Sequence, residues 1–341
     1  MDVATNCLLL FTLMNLCFAN VPKYQLNDGR RIPALALGTY LGYDKNGAVI
    51  PQNNLVRDVI LQAIDVGYRH FDTATIYNTE EEIGQAVRIK VAEGAVKRED
   101  IFITTKLWNT HHRREDVLKA LRESLSKFEL NYIDLYLMHW PIGLSEDYSY
   151  SDVDYLETWR GLEDAQKLGL VKSIGVSNFN KQQLERLIKE GRVKPAVLQI
   201  EIHPQIIQTE LVSYAQSQGV VVMGYSPFGS LVMRYGIDFP GPKIDNPTLL
   251  EIATKYSKTT PQVVLRWLVD RNIIPIPKTV KYSRLKENIN IFDFELTKEE
   301  IQKINEFDDE TRYTIPSFWQ SHRYYPFEKV DNPIPNPFSR S

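Results

Sequence analysis

Eight short apolar runs alternate with helix-like stretches along the chain, and this order limits the possible fold more than any other feature. The runs cover residues 34–38, 68–72, 101–107, 133–140, 171–177, 196–201, 220–226 and 273–278. Amphipathic helices are predicted at residues 54–67, 114–128, 157–169 and 181–191. Strands that alternate with helices are expected to be parallel and joined by right-handed crossovers. Eight such units predict a closed (β/α)8 TIM barrel, and the absence of a G-x-G-x-x-G motif argues against a doubly wound sheet.

Segments outside these repeats have predicted roles of their own. Residues 24–33 are predicted to form a hairpin that closes the barrel floor, because Asp28-Gly29 suits a turn with positive φ. Residues 226–247 form a segment too long for a plain connection, which predicts a functional loop at the carboxyl-terminal face. A chain of 341 residues could hold one large domain or two average ones. Because no linker divides the chain, residues 20–341 are predicted to be a single domain.

The first nineteen residues differ from the rest of the chain. The run "CLLLFTLMNLCFA" at residues 7–19 is too short to span a bilayer and has the length of a secretory h-region. We therefore predict that residues 1–19 are a signal peptide and that the protein is secreted or enters the secretory lumen. The n-region lacks Lys and Arg, so an amino-terminal extension packed on the barrel floor, in a cytoplasmic protein, stays the alternative.

Composition excludes several classes of partner and cofactor. The formal net charge of −3 gives no reason to expect nucleic acid or an anionic membrane as partner. Both cysteines lie in the predicted leader, so its removal would leave no thiol for a disulfide or a metal site. The histidines show no metal-ligand spacing, and we predict that no metal is bound.

Polar or aromatic side chains stand at or near the end of most predicted strands. They are Tyr40, Asp72, Lys106, His139, Ser177, Asn178, Gln199, Tyr225 and Lys278. Taken alone, His139 would more often be a hydrogen-bonded core residue, and Lys106 could be a surface lysine after a strand. In a barrel, however, the carboxyl ends of the strands converge on one mouth, where catalytic residues belong. The shared position therefore favours a functional site.

Three of these residues, together with Tyr77, suit the reduction of a carbonyl group. A lysine at the inner end of a strand needs a charged partner, and Asp72 on the adjacent strand could pair with Lys106. An ammonium near the Tyr77 hydroxyl favours phenolate, so we expect a tyrosine pKa below about 10 and a competent general acid. His139 could hold and polarise the carbonyl oxygen.

The same residues carry a resemblance to a known family. The segments "GYRHFDTATIYNTEEEIG" (67–84), "LYLMHWP" (135–141) and "IPKTVKYSRLKEN" (276–288) resemble the three signature regions of the aldo-keto reductases. The catalytic tetrad of that family matches Asp72, Tyr77, Lys106 and His139. The resemblance extends along the whole chain after the leader, and it implies an NADPH-dependent reductase of aldehydes or ketones.

The resemblance also implies binding residues for the cofactor. The nicotinamide is expected against Ser177, Asn178, Gln199 and Tyr225, since amides and a hydroxyl can satisfy a carboxamide. The pyrophosphate is expected beneath the loop that contains Ser230 and Leu231. The 2′-phosphate and the adenine are expected to meet Lys278, Thr279, Arg284, Glu287 and Asn288, because two cations and a hydroxyl suit a dianion.

The substrate side is expected to be aromatic. By the same resemblance, the walls are Tyr40, Trp108, Trp140, Phe318 and Trp319. Aromatic walls indicate an apolar carbonyl compound. Tyr40 and a short rim segment at residues 142–155 favour a bulky ketone, such as the steroid 3-ketone that a secreted insect member of the family reduces.

Three classes of function stay open from sequence alone, since a fold does not decide function. An NADPH-dependent reductase is favoured because the whole tetrad is present. An NADPH-binding sensor without turnover and a structural protein of the same fold are the alternatives. A monomer is expected, as is usual for the resembled subgroup.

Overall fold

A computed structural model describes residues 21–42, 53–233 and 238–338. The predicted leader, residues 1–19, lies outside these ranges. Eight parallel strands form the barrel, and each is hydrogen-bonded to the next in chain order. The strands are β3 (Leu37–Gly38), β4 (His70–Asp72), β5 (Phe102–Leu107), β6 (Ile133–Met138), β7 (Val171–Ser177), β8 (Val197–Glu201), β9 (Val221–Tyr225) and β10 (Ile273–Ile276).

The two edge strands of this sheet meet and bring the barrel close to full closure. Ala36 N donates to Pro275 O at 3.1 Å, and Gly38 N donates to Pro277 O at 3.0 Å. A parallel bridge between Gly38 and Lys278 lies at the same seam. The (β/α)8 barrel predicted from the alternation of strands and helices is therefore confirmed.

Ten α-helices accompany the strands in the described part of the chain. They are α1 (Leu55–Val66), α2 (Glu80–Ala92), α3 (Arg114–Phe128), α4 (Tyr155–Lys167), α5 (Lys181–Glu190), α6 (Thr209–Ser217), α7 (Pro247–Tyr256), α8 (Thr260–Asp270), α9 (Tyr282–Ile289) and α10 (Lys298–Asn305). None of these helices is both long and apolar enough to cross a bilayer. Helix α4 begins two residues before the predicted start, because the Asp154 side chain accepts a hydrogen bond from Leu156 N at 3.0 Å and caps it.

Glycines end the helices for two different reasons. Gly67 follows α1 with φ 116°, a left-handed conformation that favours glycine. Gly191 follows α5 with φ −73°, which any residue adopts. A Cβ at position 191 would lie 2.8 Å from Leu187 O and 2.9 Å from Trp159 Nε1, so close packing requires this glycine.

The predicted hairpin closes the amino-terminal end of the barrel. Strands β1 (Lys23–Gln25) and β2 (Arg31–Pro33) pair antiparallel, and Gly29 takes φ 87° in the turn between them. Leu26 and Ile32 are buried in one cluster with barrel residues. The hairpin therefore forms an apolar floor.

Alternation along the strands divides the apolar residues into an inner and an outer core. The inner cluster under the barrel mouth contains Phe102, Leu135, Leu137, Val197, Met223, Ile274 and Ile276. Their strand neighbours, such as Ile103 and Tyr136, belong to the larger cluster that packs against the helices. Burying one such leucine or isoleucine contributes roughly 1.5–3 kcal/mol to stability. The inward-facing positions continue towards the mouth of the barrel with Lys106 on β5 and with His139, one residue after the end of β6.

Candidate active site

A buried ion pair lies at the mouth of the barrel. Lys106, near the end of β5, donates from Nζ to Asp72 Oδ1 at 2.7 Å and to Thr73 O at 2.8 Å. The Lys106 side chain is 0% exposed. Gln199 Nε2 donates to the other carboxylate oxygen, Asp72 Oδ2, at 2.7 Å. Burial lowers the pKa of Lys106 from its usual value of 10.5, and the negative charge of Asp72 acts in the opposite direction. The aspartate therefore favours the charged form of a lysine that burial alone would neutralise.

Tyr77 lies beside this pair because a tight turn follows β4. Residues Thr75–Tyr77 form one turn of 3-10 helix, and Thr75 Oγ1 donates to Lys106 O at 3.0 Å. The ammonium nitrogen of Lys106 lies 5.1 Å from the centre of the Tyr77 ring. Strand β4 thus ends in Asp72, and the turn that follows places the Tyr77 ring close to the Lys106 ammonium.

His139 completes the tetrad from the adjacent strand. Its Nε2 lies 3.5 Å from the Tyr77 hydroxyl, and its Nδ1 is buried without a protein partner among the described residues. Burial, reinforced by the charge of Lys106, holds the pKa of His139 well below 6.5. The imidazole is therefore uncharged at neutral pH, and it can form a hydrogen bond with a substrate oxygen in that state.

The predicted nicotinamide residues form a connected shelf next to His139. Asn178, which takes φ 60°, donates from Nδ2 to His139 O at 2.9 Å and to Ser177 Oγ at 3.2 Å. Tyr225 donates from its hydroxyl to Asn178 Oδ1 at 2.8 Å. Gln199 was assigned from the sequence to the carboxamide alone, and its bond to Asp72 gives it a second role. A buried carboxylate has two oxygens to satisfy, and that requirement is the signal that could have revealed this bond.

The predicted 2′-phosphate residues lie where the end of β10 leads into α9. Lys278 and Arg284 are exposed and take part in no ion pair within the part of the chain that the structure describes. Thr279 is buried, and its Oγ1 accepts from Lys281 N at 3.1 Å. Two uncommitted cations beside a fixed hydroxyl fit a phosphate dianion. Of the two predicted adenine residues, Glu287 accepts from Thr259 Oγ1 at 2.6 Å and Asn288 is buried.

The loop after β9 is tied to the body of the protein near its predicted pyrophosphate residues. Ser230 Oγ donates to Pro242 O at 2.9 Å, and Leu231 is buried. Gln205 Nε2 donates to Pro240 O at 3.0 Å. Sequence reasoning missed this support and the fully buried pair beneath it, in which His203 Nε2 lies 3.2 Å from Glu201 Oε1. Glu201 ends β8 and His203 follows two residues later, and this spacing was the available signal.

The predicted substrate walls surround the tetrad. Tyr40 lies over Tyr77 with 4.8 Å between ring centres, and Trp108 lies 5.4 Å from His139. Trp140 contacts both His139 and Trp319, and Phe318 packs on Trp319 at 4.8 Å. Ring contacts therefore connect all five predicted aromatic residues to the tetrad.

The remaining histidines belong to the packing of the chain. His70 is fully buried and lies 2.8 Å from Thr104 Oγ1, and burial lowers its pKa to about 3. Burial also lowers the pKa of His112 to about 3. Across residues 21–42, 53–233 and 238–338, no three His, Cys, Asp or Glu side chains are grouped as metal ligands.

These observations define the class of protein, a barrel enzyme built to exchange a proton and a hydride with a carbonyl group. The sequence profile of the aldo/keto reductase family matches residues 34–309, and the chain belongs to that family. The resemblance noted in the sequence is confirmed.

Individual relatives agree with this assignment. Aldo-keto reductase AKR2E4 of Bombyx mori is 48% identical over 305 residues, which cover 89% of this chain and 98% of that protein. The NAD(P)H-dependent D-xylose reductase of Pachysolen tannophilus is 43% identical over 87% of this chain and 96% of its own. A crystal structure of Bombyx mori AKR2E4 in complex with NADP superimposes with a TM-score of 0.86, covering 90% of this chain and 99% of that one at 47% identity. Aldo-keto reductase AKR2E5 complexed with NADPH gives a TM-score of 0.90, with 94% and 98% covered at 47% identity.

Proposed function

We propose that the protein is an NADPH-dependent reductase of aldehydes and ketones whose natural substrate is a bulky apolar ketone. The observation that carries the proposal is the buried contact of Lys106 with Asp72 beside the Tyr77 ring. A buried ammonium beside a phenol favours catalysis over a sensor or a structural role, because the ammonium makes the phenolate easier to form. Relatives solved with NADP and NADPH support the choice of cofactor.

The cofactor, when bound, supplies the hydride that reaches the carbonyl carbon. Ser177, Asn178 and Tyr225 would hold its nicotinamide, and Lys278 and Arg284 would hold its 2′-phosphate. These residues fit that group because the shelf beside His139 carries amide and hydroxyl groups, and Lys278 and Arg284 form no ion pair with any residue that the structure describes.

The side chains of the protein manage the proton. The Tyr77 hydroxyl donates its proton to the carbonyl oxygen, and the neighbouring Lys106 ammonium stabilises the phenolate that remains. The neutral His139 imidazole orients the same oxygen through Nε2. Aromatic rings around the tetrad exclude water, which strengthens these electrostatic interactions.

A steroid 3-ketone of the 3-dehydroecdysone type is our proposal for the substrate class. Tyr40, Trp108 and Trp140 offer flat apolar surface for a rigid ring system. The similarity to a Bombyx mori aldo-keto reductase supports a steroid that occurs in insects. A panel of ketosteroids, sugar aldehydes and aromatic aldehydes, assayed by NADPH oxidation, ranks the candidates by kcat/KM. A sugar aldehyde as the best substrate would overturn this part of the proposal.

The Tyr77→Phe variant tests the proposed chemistry. Removal of the proton donor should lower kcat by about 10³-fold, within the usual range for a general acid. The Kd for NADPH, measured by quenching of protein fluorescence, should stay unchanged. Retained turnover would contradict the role of Tyr77, and wild-type protein that binds NADPH but reduces no carbonyl compound would support the sensor instead.

We further propose that the protein acts as a monomer in the secretory lumen or outside the cell. The apolar run at residues 7–19 supports this location. Amino-terminal sequencing of the natural protein tests cleavage, and size-exclusion chromatography with light scattering tests the monomer.

A further inference from the structure

A buried carboxylate lies behind the lysine of the tetrad, on the outer side of the barrel wall. Glu80 is the first residue of α2 and is 1% exposed. Its Oε1 accepts a hydrogen bond from Thr105 Oγ1 at 2.7 Å. Thr105 precedes Lys106 on β5, and because side chains alternate along a strand, it points towards the helices while Lys106 points into the barrel. Glu80 therefore contacts the strand position next to the buried cation.

The second oxygen of this carboxylate is poorly satisfied. Glu80 Oε2 is buried without a hydrogen-bond partner among the described residues, and Lys127 Nζ lies 3.7 Å away, too far for a hydrogen bond. Burial raises the pKa of this carboxyl, and three neighbouring side chains oppose that shift, namely Thr105, Ser124 and Lys127. A buried carboxyl with one unsatisfied oxygen costs free energy, and such local costs are expected at functional sites.

Two hydrogen bonds attach the segment that carries Tyr77 to consecutive residues of β5. Before Tyr77, Thr75 Oγ1 donates to Lys106 O at 3.0 Å. After Tyr77, Glu80 accepts the bond from Thr105. The phenol thus lies between two attachments, and the ammonium that it must approach belongs to one of the same two strand residues. Loss of either attachment would let the phenol move relative to the ammonium.

Helix α3 covers both attachments from the outside. Ser124 on this helix is fully buried, and its Oγ lies 3.4 Å from Thr75 Oγ1. The Ser124 hydroxyl also favours the charged form of the Glu80 carboxyl. The two attachments therefore belong to one buried polar network, which contains Thr75, Glu80, Thr105 and Ser124.

We propose that Glu80 is a positioning residue for the reaction. Its hydrogen bond with Thr105 sets the distance between the Tyr77 ring centre and the Lys106 ammonium nitrogen, which is 5.1 Å. This inference rests on the proposed reductase function. An error of about 1 Å in the position of a reacting group can lower a rate about 10²-fold. A hydrogen bond behind the barrel wall can therefore control the proton transfer in front of it.

Glu80→Leu tests the proposal in the full-length protein, because it removes the acceptor and keeps a buried side chain. The rate constant for single-turnover reduction of benzaldehyde should fall about 10- to 100-fold, whereas the Kd for NADPH should stay within about 3-fold. Glu80→Gln keeps an oxygen for the Thr105 hydroxyl and should restore the rate to within about 3-fold of wild type. Glu81→Leu is the matched control, since it removes a charge from the same helical turn at an exposed position.

Thr105→Val tests the same hydrogen bond from the strand. It removes the donor hydroxyl with little change of shape, and it decides the question if Glu80→Leu fails to fold. The single-turnover rate should fall in the same direction as in Glu80→Leu. The double variant should be no slower than the slower single variant, because both changes break one bond. Additive losses would mean that Glu80 does not act through Thr105 and would overturn the proposal.

A structural measurement separates this inference from the reductase proposal. Crystal structures of wild type, Glu80→Leu, Glu80→Gln and Thr105→Val give the distance from Lys106 Nζ to the Tyr77 ring centre. A longer distance in Glu80→Leu and Thr105→Val, but not in Glu80→Gln, supports the positioning role even if no protein shows turnover and the reductase function fails. An unchanged distance, or an unchanged rate in an active reductase, would overturn it.

Discussion

The two ends of the barrel interior are built from the same strands but from opposite kinds of side chain. Near the floor, Phe102, Leu135 and Ile274 pack with the hairpin in an apolar cluster. At the mouth, Lys106 and Asp72 form an ion pair that is almost completely buried. The lower end gains free energy from burial, whereas the upper end spends free energy on desolvation that only partners at short distance offset. The difference indicates that the apolar layer near the floor provides stability and the polar layer at the mouth provides catalysis. Mutations in the two layers should therefore affect different properties.

The largest expected effect is at the mouth. Lys106→Met should lower kcat by about 10³-fold or more, because the phenolate of Tyr77 loses its stabilising cation. The same change leaves the Asp72 carboxylate buried without its partner and should lower the free energy of unfolding by about 3–5 kcal/mol. Urea denaturation and steady-state kinetics measure the two effects.

A double variant sharpens this test. Lys106→Met combined with Asp72→Asn removes both charges and should recover most of the lost stability without recovering turnover. If stability and activity returned together, the ion pair would have a purely structural role.

The floor should show the reverse pattern. Leu135→Ala creates a cavity in the inner cluster and should lower the free energy of unfolding by about 2–5 kcal/mol. Because Leu135 lies two inward positions below His139, kcat/KM should stay within about 3-fold of wild type at a temperature where the variant is folded. A loss of kcat as large as that of Lys106→Met would show that the two layers are not separate.

A smaller effect is expected where the mouth opens to solvent. Arg284→Ala should raise KM for NADPH by about 10-fold and leave KM for NADH nearly unchanged, because only NADPH carries the 2′-phosphate. Lys281→Ala, at an exposed lysine three residues earlier, is the matched control. Equal effects of Arg284→Ala on both cofactors would place the phosphate elsewhere.

The smallest effect concerns His70, a buried polar residue in the lower part of the barrel. Its folded pKa of about 3 lies below the unfolded value of about 6.5, so its contribution to stability is complete above pH 6.5 and is lost as the pH falls. Between pH 7.5 and 5.5 this residue alone should reduce the free energy of unfolding by about 1.4 kcal/mol. His70→Gln should remove that part of the pH dependence, as urea denaturation at the two pH values would measure. Parallel losses in variant and wild type would contradict the assignment.

Features that depend on local sequence patterns could be predicted in both layers of the barrel. Strand order, barrel closure and the hairpin follow from local patterns of apolar residues and turn residues, which act over a few positions. The meeting of Asp72 with Lys106 follows once the barrel is accepted, because both stand at the ends of adjacent parallel strands.

Other contacts depend on the packing of segments far apart in the chain. The bond from Gln199 to Asp72 joins β8 to β4 across the barrel, and no local pattern encodes it. Phe338 stacks on Tyr148 because the end of the described chain packs against residues 142–155, and no local pattern encodes that contact. The requirement for glycine at position 191 comes from the neighbouring Leu187 and Trp159 and not from backbone conformation, so no local pattern explains it.

The hairpin floor has a consequence for the traffic of molecules through the enzyme. Because Leu26 and Ile32 fill the amino-terminal end of the barrel, a ligand that enters through the mouth must also leave through the mouth. A second molecule that binds above the first would block the release of the first. Binding and release would then be ordered, and the molecule that lies deeper in the barrel would bind first and dissociate last.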